Sequence, residues 1–190
     1  IDLGLLDEEF AADGITIQSL QASGEQTVRE SHFDHTQDNS FRQGGNIPPI
    51  WTRARGGDMR LIGLTWVDEY AAIITLPGSG IEGVEDLSGR RLGMGCRIND
   101  QIDFFKAMAL RTIQAALSTE AMTESDVDLI EIPVNETYVG TENKSHSGTL
   151  WSGGRRARRQ QQEAFALIRG EVDAIYTSSA MGANLAGFLG

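Results

Sequence analysis

Apolar and polar residues follow two patterns along the chain: a helical spacing in some segments and short, strand-like apolar runs in others. The helical spacing predicts helices over residues 2–13, 24–32, 46–54, 84–87, 100–118 and 156–169. The apolar runs predict strands over residues 15–20, 60–67, 70–76, 91–95, 128–133 and 172–176. Because strands alternate with helices, this order predicts an α/β protein with parallel sheets, which bind ligands at the carboxyl ends of strands or between lobes.

The composition is that of an ordinary globular protein. The chain has 190 residues, of which 40% are hydrophobic and 23% are charged, so it can bury a core in one large domain or in two small lobes. No apolar run approaches the roughly 18 residues that a membrane-spanning helix needs. No secretory signal is visible at Ile1.

The charge balance restricts the partners of the chain. A formal net charge of −11 argues against binding of nucleic acid, which depends on clustered lysine and arginine. A small anion remains compatible with a local basic pocket. The one strongly basic run, 155–159, is interpreted as a solvated helix face or as the rim of an anion cleft. The single cysteine, Cys96, excludes an internal disulfide and is interpreted as a small buried hydrophobe rather than a nucleophile.

The segment from His32 to Pro49 concentrates the candidate chemistry. It contains histidine, arginine, two adjacent glycines and a helix start led by proline. Arg42 can donate two hydrogen bonds to one anion, and the amides of Gly44 and Gly45 can approach that anion because no Cβ shields them. Asn46 is predicted to cap the following helix. The alternative interpretation of this pattern is an ordinary loop-to-helix turn.

Two further motifs are considered as cofactor or metal sites and are rejected. Gly78-Ser79-Gly80-Ile81-Glu82-Gly83 matches the glycine pattern of dinucleotide-binding proteins, but the following helix is short, and Glu82, Glu85 and Asp86 would repel a pyrophosphate. His32-Phe33-Asp34-His35 could place two imidazoles on a metal ion, but no third ligand is evident. We therefore predict neither a cofactor nor a metal.

Four segments carry a resemblance to a known family; they are residues 10–15, 32–49, 86–93 and 170–176. Through them the chain resembles the 2'-hydroxybiphenyl-2-sulfinate desulfinases. It also resembles the wider group of sulfonate, taurine and nitrate solute-binding proteins of ABC importers. This resemblance implies the periplasmic-binding-protein type II fold, in which a ligand binds in a cleft between two α/β lobes.

The resemblance also implies how the chain divides. Lobe 1 is expected over residues 1–86 and lobe 2 over residues 87–190. The family's fold opens with a strand, whereas Ile1 is already predicted to enter a helix. We therefore expect the chain to be incomplete at both ends, without the first strand and without the C-terminal return to lobe 1.

Residue roles follow from the same resemblance. The active-site histidine and arginine of the desulfinases fall on His32 and Arg42, and the glycine whose amide meets the sulfinate falls on Gly45. The predicted catalytic residues are therefore His32 and Arg42, and the predicted ligand-binding residues are Arg42, Gly44, Gly45, Phe33 and Gln37. The family's cysteine nucleophile is expected upstream of Ile1, and Cys96 does not occupy its position.

The implied activity is hydrolysis of the carbon–sulfur bond of an organic sulfinate or sulfonate with release of sulfite, by a monomer in the cytoplasm. The alternative is a non-catalytic binding protein in the periplasm that delivers a sulfonate-like anion to the permease of an ABC importer. A third interpretation is a ligand sensor. The enzyme is favoured because a pure anion receptor has less need of His32.

Overall fold

The computed structural model describes residues 4–139 and 153–189, with side chains for all of these except 153–159, 181, 188 and 189. This part of the chain forms six α-helices and four β-strands. The helices are α1 (Leu5–Phe10), α2 (Gln26–Asp34), α3 (Ile47–Ala54), α4 (Phe104–Thr119), α5 (Gly153–Ile168) and α6 (Ser179–Leu189). The strands are β1 (Ala71–Thr75), β2 (Arg91–Arg97), β3 (Asp128–Val134) and β4 (Ala174–Ser178).

By their contacts, the described residues divide into two compact units. The first lies within residues Ile1–Ile62 and Thr137–Gly154, and the second lies within residues Gly63–Glu136 and Arg155–Gly190. The lobes predicted over residues 1–86 and 87–190 have different bounds, and that division stays a prediction.

The second unit is built around one mixed sheet with the strand order β1-β4-β2-β3. Strand β2 pairs in parallel with β3, with Arg91 opposite Asp128, and in parallel with β4, with Leu92 opposite Ala174. Strand β1 pairs with β4 in the antiparallel direction. All five residues of β4 are buried, as expected for a strand with neighbours on both sides.

Helices cover both faces of this sheet. Ala109, Ile113 and Leu117 of α4 recur at helical spacing and pack in one core cluster with residues of β2 and β4. On the other face, Leu167 of α5 and Ile175 of β4 belong to a second cluster. Successive residues of β4 therefore face different helices, because side chains alternate across a strand.

The first unit contains α1, α2 and α3, and buried polar contacts hold it together. The hydroxyl of Thr52 in α3 donates to the carbonyl of Phe33 in α2 at 2.7 Å. The buried guanidinium of Arg29 donates through Nε to the carbonyl of Val139 at 2.9 Å and through Nη1 to the carbonyl of Ser23 at 2.7 Å. These bonds join α2 to the preceding loop and to residues 137–139, which are distant in sequence.

The predicted fold of two α/β lobes, of the periplasmic-binding-protein type II class, is wrong. Among the described residues, strands occur only in the second unit, where they form a single four-stranded sheet. The expectation of purely parallel strands also fails, at β1. Alternation of helices and strands does not fix the direction of an edge strand, and mixed sheets often carry an antiparallel strand at the edge.

Most local predictions are confirmed, but two strands and one helix are not as expected. Helices predicted over 24–32, 46–54 and 100–118 correspond to α2, α3 and α4. The strands predicted over 15–20 and 60–67 are wrong, because neither segment forms a strand ladder. Helix α6 was not predicted. Among the described residues, no helix combines the length and apolar character needed to cross a bilayer.

Candidate functional site

The guanidinium of Arg42 is held by two backbone carbonyls of the first unit. Its Nε donates to the carbonyl of His32 and its Nη1 to the carbonyl of Gly45, both at 2.9 Å. A Cβ at position 44 would lie 2.9 Å from Nη2, so Gly44 makes room for the guanidinium. The remaining N–H groups of Arg42 donate to no acceptor in residues 4–139 or in the described side chains beyond them. These groups can bind an anion.

Two aromatic rings fix the imidazole of His32, which lies near the end of α2. The ring of Tyr138 stacks on it with a centroid separation of 5.5 Å and an interplanar angle of 29°. The ring of Phe33 meets it edge-on at 5.3 Å. Phe33 itself is fully buried and lies 5.9 Å from the ring of Tyr138, so the three rings form one cluster.

Burial and neighbouring charge keep this imidazole neutral. Burial lowers the pKa of His32 to about 4, and the charges of Arg42 and His35 act in the same direction. The pKa of His35 is also lowered, mainly by burial and by Arg42, while Asp34 opposes the shift. At neutral pH, His32 can therefore accept a proton or donate a single N–H hydrogen bond.

Acidification is expected to destabilise the protein through His32. The pKa is about 4 in the folded protein and ordinarily 6.5, so the unfolded chain binds this proton more tightly. The loss of stability therefore begins near pH 6.5 and is complete below about pH 4. The full difference corresponds to about 3 kcal/mol, and partial contact of the ring with solvent reduces it to about 1 to 2 kcal/mol.

Urea unfolding of the wild type and of His32→Gln at about pH 7 and about pH 4.5 measures this effect. The wild type is expected to lose about 1 to 2 kcal/mol more than the variant between the two pH values, since only the wild type carries the buried imidazole. Equal losses in the two proteins would show that this ring is not held neutral by folding.

The predicted ligand-binding residues Gln37, Gly44 and Gly45 lie in the loop between α2 and α3 that also carries Arg42. The amides of Gly44 and Gly45 donate to no acceptor within the described part of the chain. The backbone amide of Gln37 donates to the hydroxyl of Ser31 at 3.0 Å, and its side chain is half-buried. The site therefore brings Arg42, both glycines and His32 together. The roles assigned to these residues stay predictions.

The predicted cap at Asn46 is wrong. Its side chain makes no capping hydrogen bond at the start of α3. The backbone of Asn46 already has helical angles, φ −77° and ψ −21°, whereas a capping side chain needs an extended backbone to reach the amides of the first turn. Proline in the first turn of α3 is as expected.

Tyr138 is a site residue that the sequence analysis missed. It contacts His32, and it favours the charged form of Arg42, thereby opposing the burial that lowers the pKa of that side chain. Tyr138 follows the end of strand β3 by four residues. Residues after the carboxyl end of a parallel strand often bind ligands, and this signal could have identified it.

Cys96 has the properties of a protonated thiol. Burial raises its pKa, and the carboxylate of Glu131 raises it further, although Lys106 opposes this effect. Lys106 itself is paired with Glu131. A raised pKa disfavours the thiolate, which is the reactive form.

In the glycine motif at residues 78–83, a carboxylate of the chain already occupies backbone donors. The carboxylate of Asp86 accepts hydrogen bonds from the amides of Glu82 and Gly83, at 2.9 and 3.0 Å, so it occupies donors that a phosphate would need. The described residues contain no group of three or more metal-ligating side chains. The basic run 155–159 belongs to α5 by its backbone, and its side chains lie outside the described residues.

The chain is a distant homologue of known enzymes. It is 27% identical, over 194 residues, to a 2'-hydroxybiphenyl-2-sulfinate desulfinase of Rhodococcus erythropolis and to one of Rhodococcus qingshengii. Each alignment covers 92% of the chain and 51% of the relative, so the chain spans about half the length of the curated relatives it matches. No protein-family model matches the chain.

A solved structure shares the fold. The crystal structure of a cysteine-to-serine mutant of DSZB in complex with biphenyl-2-sulfinic acid matches with a TM-score of 0.62 and 24% sequence identity. The match covers 93% of this chain and 54% of that one. The curated relatives make the chain similar to the desulfinases, and the solved structure supports the shared fold alone. They give no support to the periplasmic-binding-protein placement, to an ABC importer component or to a permease as partner.

Proposed function

We propose that this chain provides the sulfinate-binding part of an enzyme that cleaves the carbon–sulfur bond of an organic sulfinate. The observation that carries the proposal is the anchoring of Arg42. Two carbonyls hold its guanidinium in place, and the N–H groups that remain are available for an anion. The distant homology to sulfinate desulfinases supports the choice of anion.

In this proposal, Arg42 and the amide of Gly45 bind the two oxygens of the sulfinate group. A planar guanidinium can donate parallel hydrogen bonds to two oxygens, and such charge-assisted bonds are stronger than neutral ones. Gly45 has no neighbouring atom within 4 Å of the place where a Cβ would lie, so its surroundings are open to a ligand. The donors that bind the substrate would also stabilise charge that develops on these oxygens during the reaction.

His32 acts as a proton acceptor in the proposed reaction. The overall conversion takes a sulfinate and water to the desulfinated compound and hydrogen sulfite, so the carbon gains a proton as its bond to sulfur breaks. The resemblance implies a cysteine as the nucleophile. A neutral imidazole beside that thiol can take its proton, whereas an imidazolium could not. The low pKa of His32 therefore suits a base better than a fixed positive charge.

Substitution of Arg42 tests the anion site. Arg42→Ala is expected to weaken binding of an aromatic sulfinate at least about tenfold, because a charge-assisted hydrogen bond contributes about 1.5 to 3 kcal/mol. Arg42→Lys is expected to give an intermediate affinity, since a point charge replaces the two-pronged donor. Isothermal calorimetry with benzenesulfinate measures all three proteins.

The matched control is Arg53→Ala, since Arg53 lies in the same unit with its side chain 65% exposed. Its affinity should equal that of the wild type, and circular dichroism should show that each variant is folded. The proposal is rejected if Arg42→Ala and Arg53→Ala bind the sulfinate equally well, or if the wild type binds none.

A further inference from the structure

We infer that Tyr138 is a positioning residue of the proposed sulfinate site, because its ring stacks on the imidazole of His32, whose backbone carbonyl holds the guanidinium of Arg42. This inference rests on the proposed function and adds to it a residue from a distant part of the sequence. Tyr138 acts on the ligand through His32.

The first contact fixes the orientation of the imidazole. Tyr138 stacks on one face of His32 at 5.5 Å, while the edge contact with Phe33 constrains the ring from another side. An aromatic pair of this kind contributes about 0.5 to 1.5 kcal/mol beyond the area it buries. Without the tyrosine ring, water would reach the imidazole and the ring would rotate more freely.

The second link runs through the backbone of His32. The Nε of Arg42 donates to the carbonyl of His32, so the residue that carries the stacked imidazole also holds the guanidinium. His35, which follows α2, is the other titratable neighbour whose charge acts on the imidazole, and α3 contributes the neutral Thr52, which bonds the backbone beside it. Tyr138 thus packs on the residue that joins the base to the anion-binding group.

Tyr138 is carried by an anchored stretch of backbone. The carbonyl of the next residue, Val139, accepts the hydrogen bond from the buried Nε of Arg29 at 2.9 Å. Val139 is also buried. This bond crosses 110 positions of sequence and places Tyr138 against α2. Its position therefore has a structural cause that is independent of the ring contacts.

Histidine titration by NMR tests this role directly. In Tyr138→Leu, the pKa of His32 is expected to rise by at least about one unit toward 6.5, because removal of the ring restores solvent to the imidazole. In Tyr138→Phe, which keeps the stacked ring, the pKa should stay within about 0.3 of the wild-type value. Tyr70→Phe is the control, since Tyr70 lies in the second unit. His32→Gln assigns the resonance.

Binding of benzenesulfinate to the same proteins separates this inference from the proposed function. Tyr138→Leu is expected to weaken binding about fivefold or more, whereas Tyr138→Phe, which keeps the stacked ring, should bind within about twofold of the wild type. Absence of binding by the wild type would reject the proposed function, while the titration would still measure the effect of Tyr138 on His32. Should Tyr138→Leu not fold, Tyr138→Met, which fills more of the space of the ring, takes its place, and wild-type affinity of that variant would overturn the inference. An unchanged His32 pKa in a folded Tyr138→Leu overturns it as well.

Discussion

Replacement of Arg97 by alanine is expected to lower the free energy of unfolding by about 3 to 5 kcal/mol. Arg97 at the end of β2 and Asp100 form an ion pair at 3.6 Å, with side chains only 1% and 2% exposed. The guanidinium also lies over the ring of Phe105 and donates to the carbonyl of Glu136 at 2.9 Å. Removing it would take the Arg97 charge away from the buried carboxylate of Asp100, and the loss of one partner of a buried pair is costly.

Arg91→Ala is the matched control, because Arg91 is also an arginine of β2 paired with an aspartate. Its pair with Asp173 is shorter, at 2.7 Å, but the two side chains are 41% and 25% exposed. Water can replace the lost partner there, so the expected loss is much smaller than that of Arg97→Ala. Urea unfolding followed by circular dichroism measures both variants. Equal losses would mean that burial does not set the energy of the Arg97 pair.

The sequence predicted those elements that are determined locally. Helix α4 has apolar residues at helical spacing, and its first turn is capped by the side chain of Asp103, which accepts from the amide of Lys106. Such signals need no knowledge of the rest of the fold. A strand differs, because its backbone groups must find a partner strand. The apolar run 60–67 has the composition of a buried strand, yet Trp66 in this run is 84% exposed.

Helix α6 was missed for a related reason. It contains two glycines, which disfavour helix interiors. At Gly182, a Cβ would lie 2.3 Å from the hydroxyl of Thr177, so close packing against β4 requires the glycine. Because this contact depends on the tertiary structure, the composition of the segment gives no indication of it.

The candidate site was predicted in part for the same reasons. The cluster of Arg42, two glycines and His32 is local, so the sequence could identify it. The path of the loop was not foreseen: Gly45 accepts a hydrogen bond from Arg42 through its carbonyl, and Gly44 provides space for the guanidinium. Tyr138 is about 100 positions from these residues, and only the fold brings it to His32.

Phe33→Ala is expected to affect both the stability of the first unit and its proposed ligand site. The ring of Phe33 is fully buried and contacts His32 and Tyr138. Its removal should lower the free energy of unfolding by about 3 to 5 kcal/mol, through lost burial and the cavity left behind. The imidazole and the tyrosine ring would lose their common support, so we expect weaker binding of benzenesulfinate even in the folded fraction.

Phe41→Ala provides the matched control, since Phe41 lies in the loop between α2 and α3 with 84% of its surface exposed. Its loss should change the stability by less than about 0.5 kcal/mol. Urea unfolding followed by tryptophan fluorescence compares the two variants, because Trp51 of α3 reports on the first unit. Phe33→Leu, which keeps most of the apolar volume, should recover about half of the stability lost in Phe33→Ala. Similar stabilities of Phe33→Ala and Phe41→Ala would contradict a role for Phe33 as the buried support of the site.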